Sequence, residues 1–140
     1  MGMYTQIRGW LNVDSIGYGD RFYAIKDKLE QAKYDFQNSG LTLDRKWVSN
    51  DTNALQGGNG SVYLFIGTEL KNYDSSFDEW VKYLLTQFPN AEGRIDYQYE
   101  EEDWRRGGES RYLLIREGRI IEDNYCKTWC YGYGNMFEIE

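Results

Sequence analysis

Two stretches of this chain repeat apolar residues at intervals of three and four, while the segments around them repeat at intervals of two. That alternation of periods restricts the chain to a sheet with helices packed against it. In the first helical stretch Phe22, Ile25, Leu29, Ala32 and Phe36 share one stripe, Asp20 is placed to cap its start, and Asn38-Ser39-Gly40 stops it. In the second the stripe is Phe77, Trp80, Val81, Leu84, Leu85 and Phe88; Ser75-x-x-Asp78 and Ser76-x-x-Glu79 resemble capping boxes, and Pro89 ends it. Period two governs residues 4–13, where Ile7, Leu11 and Val13 fall on one face and Tyr4, Arg8 and Trp10 on the other. It also governs residues 61–67, with Val62, Leu64 and Ile66 facing one way and Tyr63 and Phe65 the other. Residues 41–48 read as a further strand and residues 49–60 as a polar, glycine-rich loop. Residues 93–101, 110–116 and 119–124 read as three more strands, the last two joined tightly through Glu117-Gly118.

The resulting order, β-α-β-β-α-β followed by a β-hairpin, predicts an α+β fold: a ferredoxin-like antiparallel sheet with both helices on one face and a C-terminal hairpin extension. The expected core runs over about residues 4–101, and the hairpin with its aromatic tail over about 110–140, within a single domain spanning residues 1–140. No internal repeat or linker divides the chain. Fold order of this kind says little about function, which has to be sought in particular residues.

The chain contains no histidine, so the usual proton shuttle at neutral pH and the commonest metal ligand are both missing. The formal charge of −7 opposes non-specific attachment to nucleic acid or to an anionic membrane and favours a basic partner. Aromatic residues make up 17% of the chain, including 13 tyrosines and 5 tryptophans, which suits both half-buried strands and interfaces. If Cys126 and Cys130 lie on a strand, their α-carbons are roughly 13 Å apart and cannot bridge, while on a turn or helix the spacing is marginal; reduced thiols in a cytoplasmic protein are expected. No segment reaches membrane-spanning length. Gln56-Gly57-Gly58-Asn59-Gly60 lacks the phosphate-loop pattern and precedes a strand instead of a helix, so it reads as a hairpin loop. No cofactor, metal site or catalytic constellation is expected.

Two surfaces stand out as binding candidates. The first is the stretch Asp96, Tyr97, Gln98, Tyr99, Glu100, Glu101, Glu102, Asp103 and Trp104: five carboxylates and three aromatics without a cation. A projecting hairpin of this composition would present acids to a basic groove, anchored by Tyr97, Tyr99 and Trp104. The competing reading is a solvated hairpin whose acids pair across strands with Arg111, Arg116 and Arg119. The second candidate is the uncovered sheet face, where Trp10 would lie beside Tyr63 and Phe65. RNA-recognition modules use such a face, but the third-strand signature and the charge required for RNA are absent here. A C-terminal segment carrying Trp129, Tyr131, Tyr133 and Phe137 could also fold over these rings.

The pattern Tyr-x-x-Ile-x-Gly-Trp-Leu over residues 4–11, the two amphipathic helices and the terminal hairpin with Glu117-Gly118-Arg119 resemble the small ferredoxin-like proteins of plasmids and phages, the YubB-type group. In size, charge and lack of catalytic motifs the chain is also similar to small acidic phage anti-defence proteins, anti-CRISPR proteins among them. The likeness implies a mobile-element origin. Together these features predict a non-enzymatic cytoplasmic inhibitor that occupies the basic surface of a nucleic-acid-handling host defence protein. A toxin-neutralising immunity protein and a small-ligand or nucleotide binder are the alternatives.

Overall fold

The computed structural model describes residues 5–17, 19–39, 52–57, 60–70, 76–99 and 110–126. Its elements follow in the order β1 (Thr5–Gly17), α1 (Gly19–Asn38), β2 (Asn53–Gly57), β3 (Gly60–Leu70), α2 (Ser76–Gln87), β4 (Glu92–Tyr99), β5 (Ser110–Arg116) and β6 (Arg119–Cys126). The strands form one six-stranded sheet, ordered β2-β3-β1-β4-β5-β6, in which every neighbouring pair is antiparallel.

This sheet corrects the expected ferredoxin-like β-α-β-β-α-β unit with a separate hairpin extension. β4 is an interior strand: it pairs with β1 from Thr5↔Tyr99 to Asn12↔Glu92 and with β5 from Gly93↔Ile115 to Gln98↔Ser110. The hairpin is therefore part of the main sheet. The physical reason is visible in the alternation of β5, whose Leu113 and Ile115 are buried in the same core cluster as Ile95 and Tyr97 of β4. A strand with an apolar face that continues its neighbour's gains more from joining the ladder than from packing as a separate unit. A second correction concerns β2, which occupies Asn53–Gly57 inside the stretch read as a glycine-rich loop. The strand expected over residues 41–48 lies outside the described residues.

One face of the sheet carries the core. Ile7, Leu11 and Val13 of β1, Val62, Leu64 and Ile66 of β3, and Ile95, Tyr97, Leu113 and Ile115 share a single buried cluster with Leu29, Ala32 and Phe36 of α1 and Phe77, Trp80, Val81, Leu84 and Leu85 of α2. The helices meet each other through the Phe36 and Trp80 rings, whose centroids are 5.2 Å apart. Trp80 satisfies its indole N–H by donating to Asn53 Oδ1 at 3.1 Å, a buried bond that ties α2 to the short strand β2. The end of α1 is closed by Ser39, whose Oγ donates to the Phe36 carbonyl at 2.6 Å, and by Asn38 Nδ2, which donates to the Tyr34 carbonyl at 2.9 Å.

Two glycines are required by close approach. A Cβ at Gly93 would lie 1.9 Å from the Trp10 carbonyl oxygen, so β1 and β4 can pair there only because Gly93 has none. At the β5–β6 turn Glu117 (φ 53°) and Gly118 (φ 68°) both adopt left-handed backbone, the requirement of a two-residue type I′ hairpin. The Gly118 N–H then donates to the Ala91 carbonyl at 2.9 Å, fastening the hairpin turn to the connection that leaves α2.

Candidate functional site

Among the described residues no helix packs on the opposite face of the sheet. Strand alternation and register lay its side chains out in rows across the strands. The central row runs Ala54, Phe65, Trp10, Arg94, Leu114 and Glu122 from β2 to β6. Trp10 and Phe65 are 42% and 43% exposed, unusually open for such large rings on interior strands. Tyr63 completes the group: its ring centroid is 6.1 Å from that of Trp10 and 5.9 Å from that of Phe65, the latter pair stacked. The structure thus brings Trp10, Tyr63 and Phe65 together on one open surface, the arrangement that aromatic contact surfaces require.

The polar groups around these rings are already organised. Arg94 donates from Nε and Nη2 to the Asp96 carboxylate at 3.0–3.1 Å, and its guanidinium sits 4.3 Å from the centre of the Tyr112 ring. Tyr112 in turn donates its hydroxyl to Glu122 at 3.1 Å and accepts from Asn124 at 2.8 Å. On the other side Arg8 donates to Gln6, which donates to Glu69 at 3.1 Å. Among the described residues this face carries four carboxylates, Glu69, Glu92, Asp96 and Glu122, and four guanidiniums, those of Arg8 and Arg94 and, at the β5–β6 turn end, of Arg116 and Arg119. It is an aromatic patch with charges of both signs around it.

The acidic-aromatic stretch is divided by the sheet. Asp96 lies on the open face, paired to Arg94, while Tyr97 faces the helices and is 1% exposed. Tyr97 is therefore a core residue, which corrects its expected role as a partner anchor: strand alternation sends residues 96 and 97 to opposite faces. Tyr99 is half-buried on the helix side, stacked between Tyr97 and Tyr125 at centroid distances of 6.1 and 6.4 Å. Glu100, Glu101, Glu102, Asp103 and Trp104 lie outside the described residues, as do Cys130 and the aromatic tail from Trp129 to Phe137.

What holds Tyr97 and Tyr99 in place is an arginine that sequence reasoning assigned to surface ion pairs. Arg111 is 8% exposed and donates from Nη1 to Asp78 Oδ2 at 2.6 Å, from Nε to Asp123 Oδ1 at 2.7 Å and from Nη2 to Asp123 Oδ2 at 2.8 Å. Its guanidinium also lies over the Tyr97 and Tyr125 rings at 5.0 and 5.3 Å. The paired carboxylates raise the Arg111 pKa, and the guanidinium lowers that of Asp123. Burial, reinforced by the neighbouring Asp78 charge, pushes the Tyr97 hydroxyl well above its ordinary value; burial pushes Tyr99 up to about 12. Tyr97 Oη and Asp78 Oδ1 are buried without a hydrogen-bond partner. The sequence signal for this cluster was available: Arg111 shares the parity of Leu113 and Ile115, so an inward arginine needed inward carboxylates. Asp78 and Asp123 are 33 and 12 residues away, and separation of that kind hides a partner.

Among the described residues no cluster of cysteine and carboxylate side chains is arranged to hold a metal ion. No helix among them is long and apolar enough to cross a membrane. No family model, curated protein or solved structure matches the chain.

Proposed function

We propose that this protein is a non-enzymatic binding protein which inhibits a nucleic-acid-handling host protein by occupying that protein's basic surface. The observation that carries this reading is the open aromatic group Trp10, Tyr63 and Phe65 in a chain of net charge −7. Aromatic rings supply contact energy on desolvation, and surrounding acids accelerate encounter with a cationic partner. A chain without histidine lacks the commonest general acid–base group, which favours binding over catalysis. The same charge disfavours a nucleic acid as the direct ligand of this face.

The test is capture from a host lysate on immobilised protein, comparing the wild type with the Trp10→Ala/Phe65→Ala double variant at low and high salt. The expected result is a nucleic-acid-binding protein retained by the wild type, weakened by salt, and lost with the double variant. Capture of a secreted or plasmid-borne toxin in its place would assign the protein to toxin neutralisation. If both proteins retain the same partners, the aromatic face is not the binding surface.

A further inference from the structure

We propose that the exposed aromatic part of this face recognises arginine side chains of its partner, laying a guanidinium on the Trp10 and Phe65 rings beside the Glu92 carboxylate; this rests on the reading that the face binds a basic protein surface. The face already contains one arginine held in this way. Arg94 lies against the Tyr112 ring at 4.3 Å while the Asp96 carboxylate takes its Nε and Nη2 hydrogens, and Asp96 and Tyr112 are direct cross-strand partners. One ring and one carboxylate, on adjacent strands of the same face, thus both take part in seating a planar guanidinium.

A similar ring-and-carboxylate pairing stands open two residues further along β4. Glu92 is the cross-strand partner of Asn12, which places it diagonally across from Trp10, at about 7–8 Å between the strand positions. Arg94 turns towards Asp96 and Tyr112, away from Glu92 along the strand. Glu92 is exposed, and so are Trp10 and Phe65. An incoming guanidinium can therefore stack on a ring and meet a carboxylate without displacing an existing pair. Charge complementarity points the same way at the level of the whole chain, whose formal charge is −7. Arginine fits better than lysine, because a flat, weakly hydrated group can stack and pair at once, whereas an ammonium is a strongly hydrated point charge.

Calorimetric titration of the full chain with a nona-arginine peptide and a nona-lysine peptide, at equal salt, tests this. The arginine peptide should bind more tightly than the lysine peptide. Trp10→Ala should weaken the arginine peptide about fivefold while Trp10→Phe, which keeps a ring, retains most of the affinity. Glu92→Gln should weaken it and reduce its salt dependence. Equal binding of the two peptides, or indifference of the arginine peptide to Trp10→Ala, would overturn the proposal; the second result also covers a face occupied by the chain's own residues 127–140. A wild-type dimer that Trp10→Ala dissociates would overturn it as well, by assigning the face to a second copy. If lysate capture depends on Trp10 and Phe65 while both peptides bind alike, the arginine inference fails and the binding reading stands. If lysate capture ignores these rings, the binding reading itself fails.

Discussion

At the scale of single residues, Arg111 is the side chain on which most others depend. Its bond to Asp78 is largely shielded, with side-chain exposures of 9% and 14%, whereas Asp123 is 41% exposed. Removing the guanidinium strands Asp78 without a partner beside Tyr97, so Arg111→Met should cost about 3 kcal/mol in urea unfolding. Asp123→Asn keeps the shape and loses a solvent-screened pair; it should cost under about 1 kcal/mol. The tyrosines beside Arg111 give a pH signature. An unfolded tyrosine releases its proton near pH 10, whereas Tyr99 in the fold holds its proton to about 12 and Tyr97 also resists ionisation. The folded state then binds more protons than the unfolded one over that interval. Stability from these groups is complete below about pH 10 and is lost as pH rises towards about 12. Phenolate absorbance should show Tyr99 ionising well above the ordinary tyrosine value, towards about 12, and Tyr99→Phe should flatten the alkaline decline in stability.

At the scale of elements, two glycines on the strands that flank β1 have opposite consequences. Gly93→Ala drives a methyl group into the Trp10 carbonyl and should disrupt β1–β4 pairing, with a loss of about 3 kcal/mol or more. Gly67 faces open space on the exposed side of β3, and Gly67→Ala should be neutral or stabilising by up to about 1 kcal/mol. Thermal unfolding of the two variants checks both. The legible elements were those whose own residues settle their environment. α2 has five apolar residues on one stripe, with Phe88 just beyond its end, and β3 alternates without a break, so period alone locates them. β2 was hidden because Asn-Ala-Leu-Gln-Gly has neither period nor β-branched residues; it becomes a strand through pairing with β3 and through the Trp80–Asn53 bond. The site followed the same division. The grouping of Trp10 with Tyr63 and Phe65 can be read from alternation and strand adjacency, but the Arg94–Tyr112 seat and the Arg111 cluster depend on β5 lying beside β4.

At the scale of the whole molecule, the sheet separates two kinds of aromatic residue. Tyr97, Phe77, Phe36 and Trp80 are enclosed between sheet and helices, whereas Trp10 and Phe65 are exposed on the other side. The strand that divides these populations, β1, lies at the centre of the sheet yet comes first in the chain. Its partners are residues 60–70 on one side and 92–99 on the other. A ribosome that has made β1 and α1 has therefore made a strand with both ladder edges unpaired, and β1 gains its second neighbour only after about two-thirds of the chain has been synthesised. Pairings of such long sequence separation carry a large loop-closure cost before they return any energy, which slows folding. Until β4 arrives, β1 presents an apolar face and an unsatisfied edge, the combination that invites misassociation with other chains.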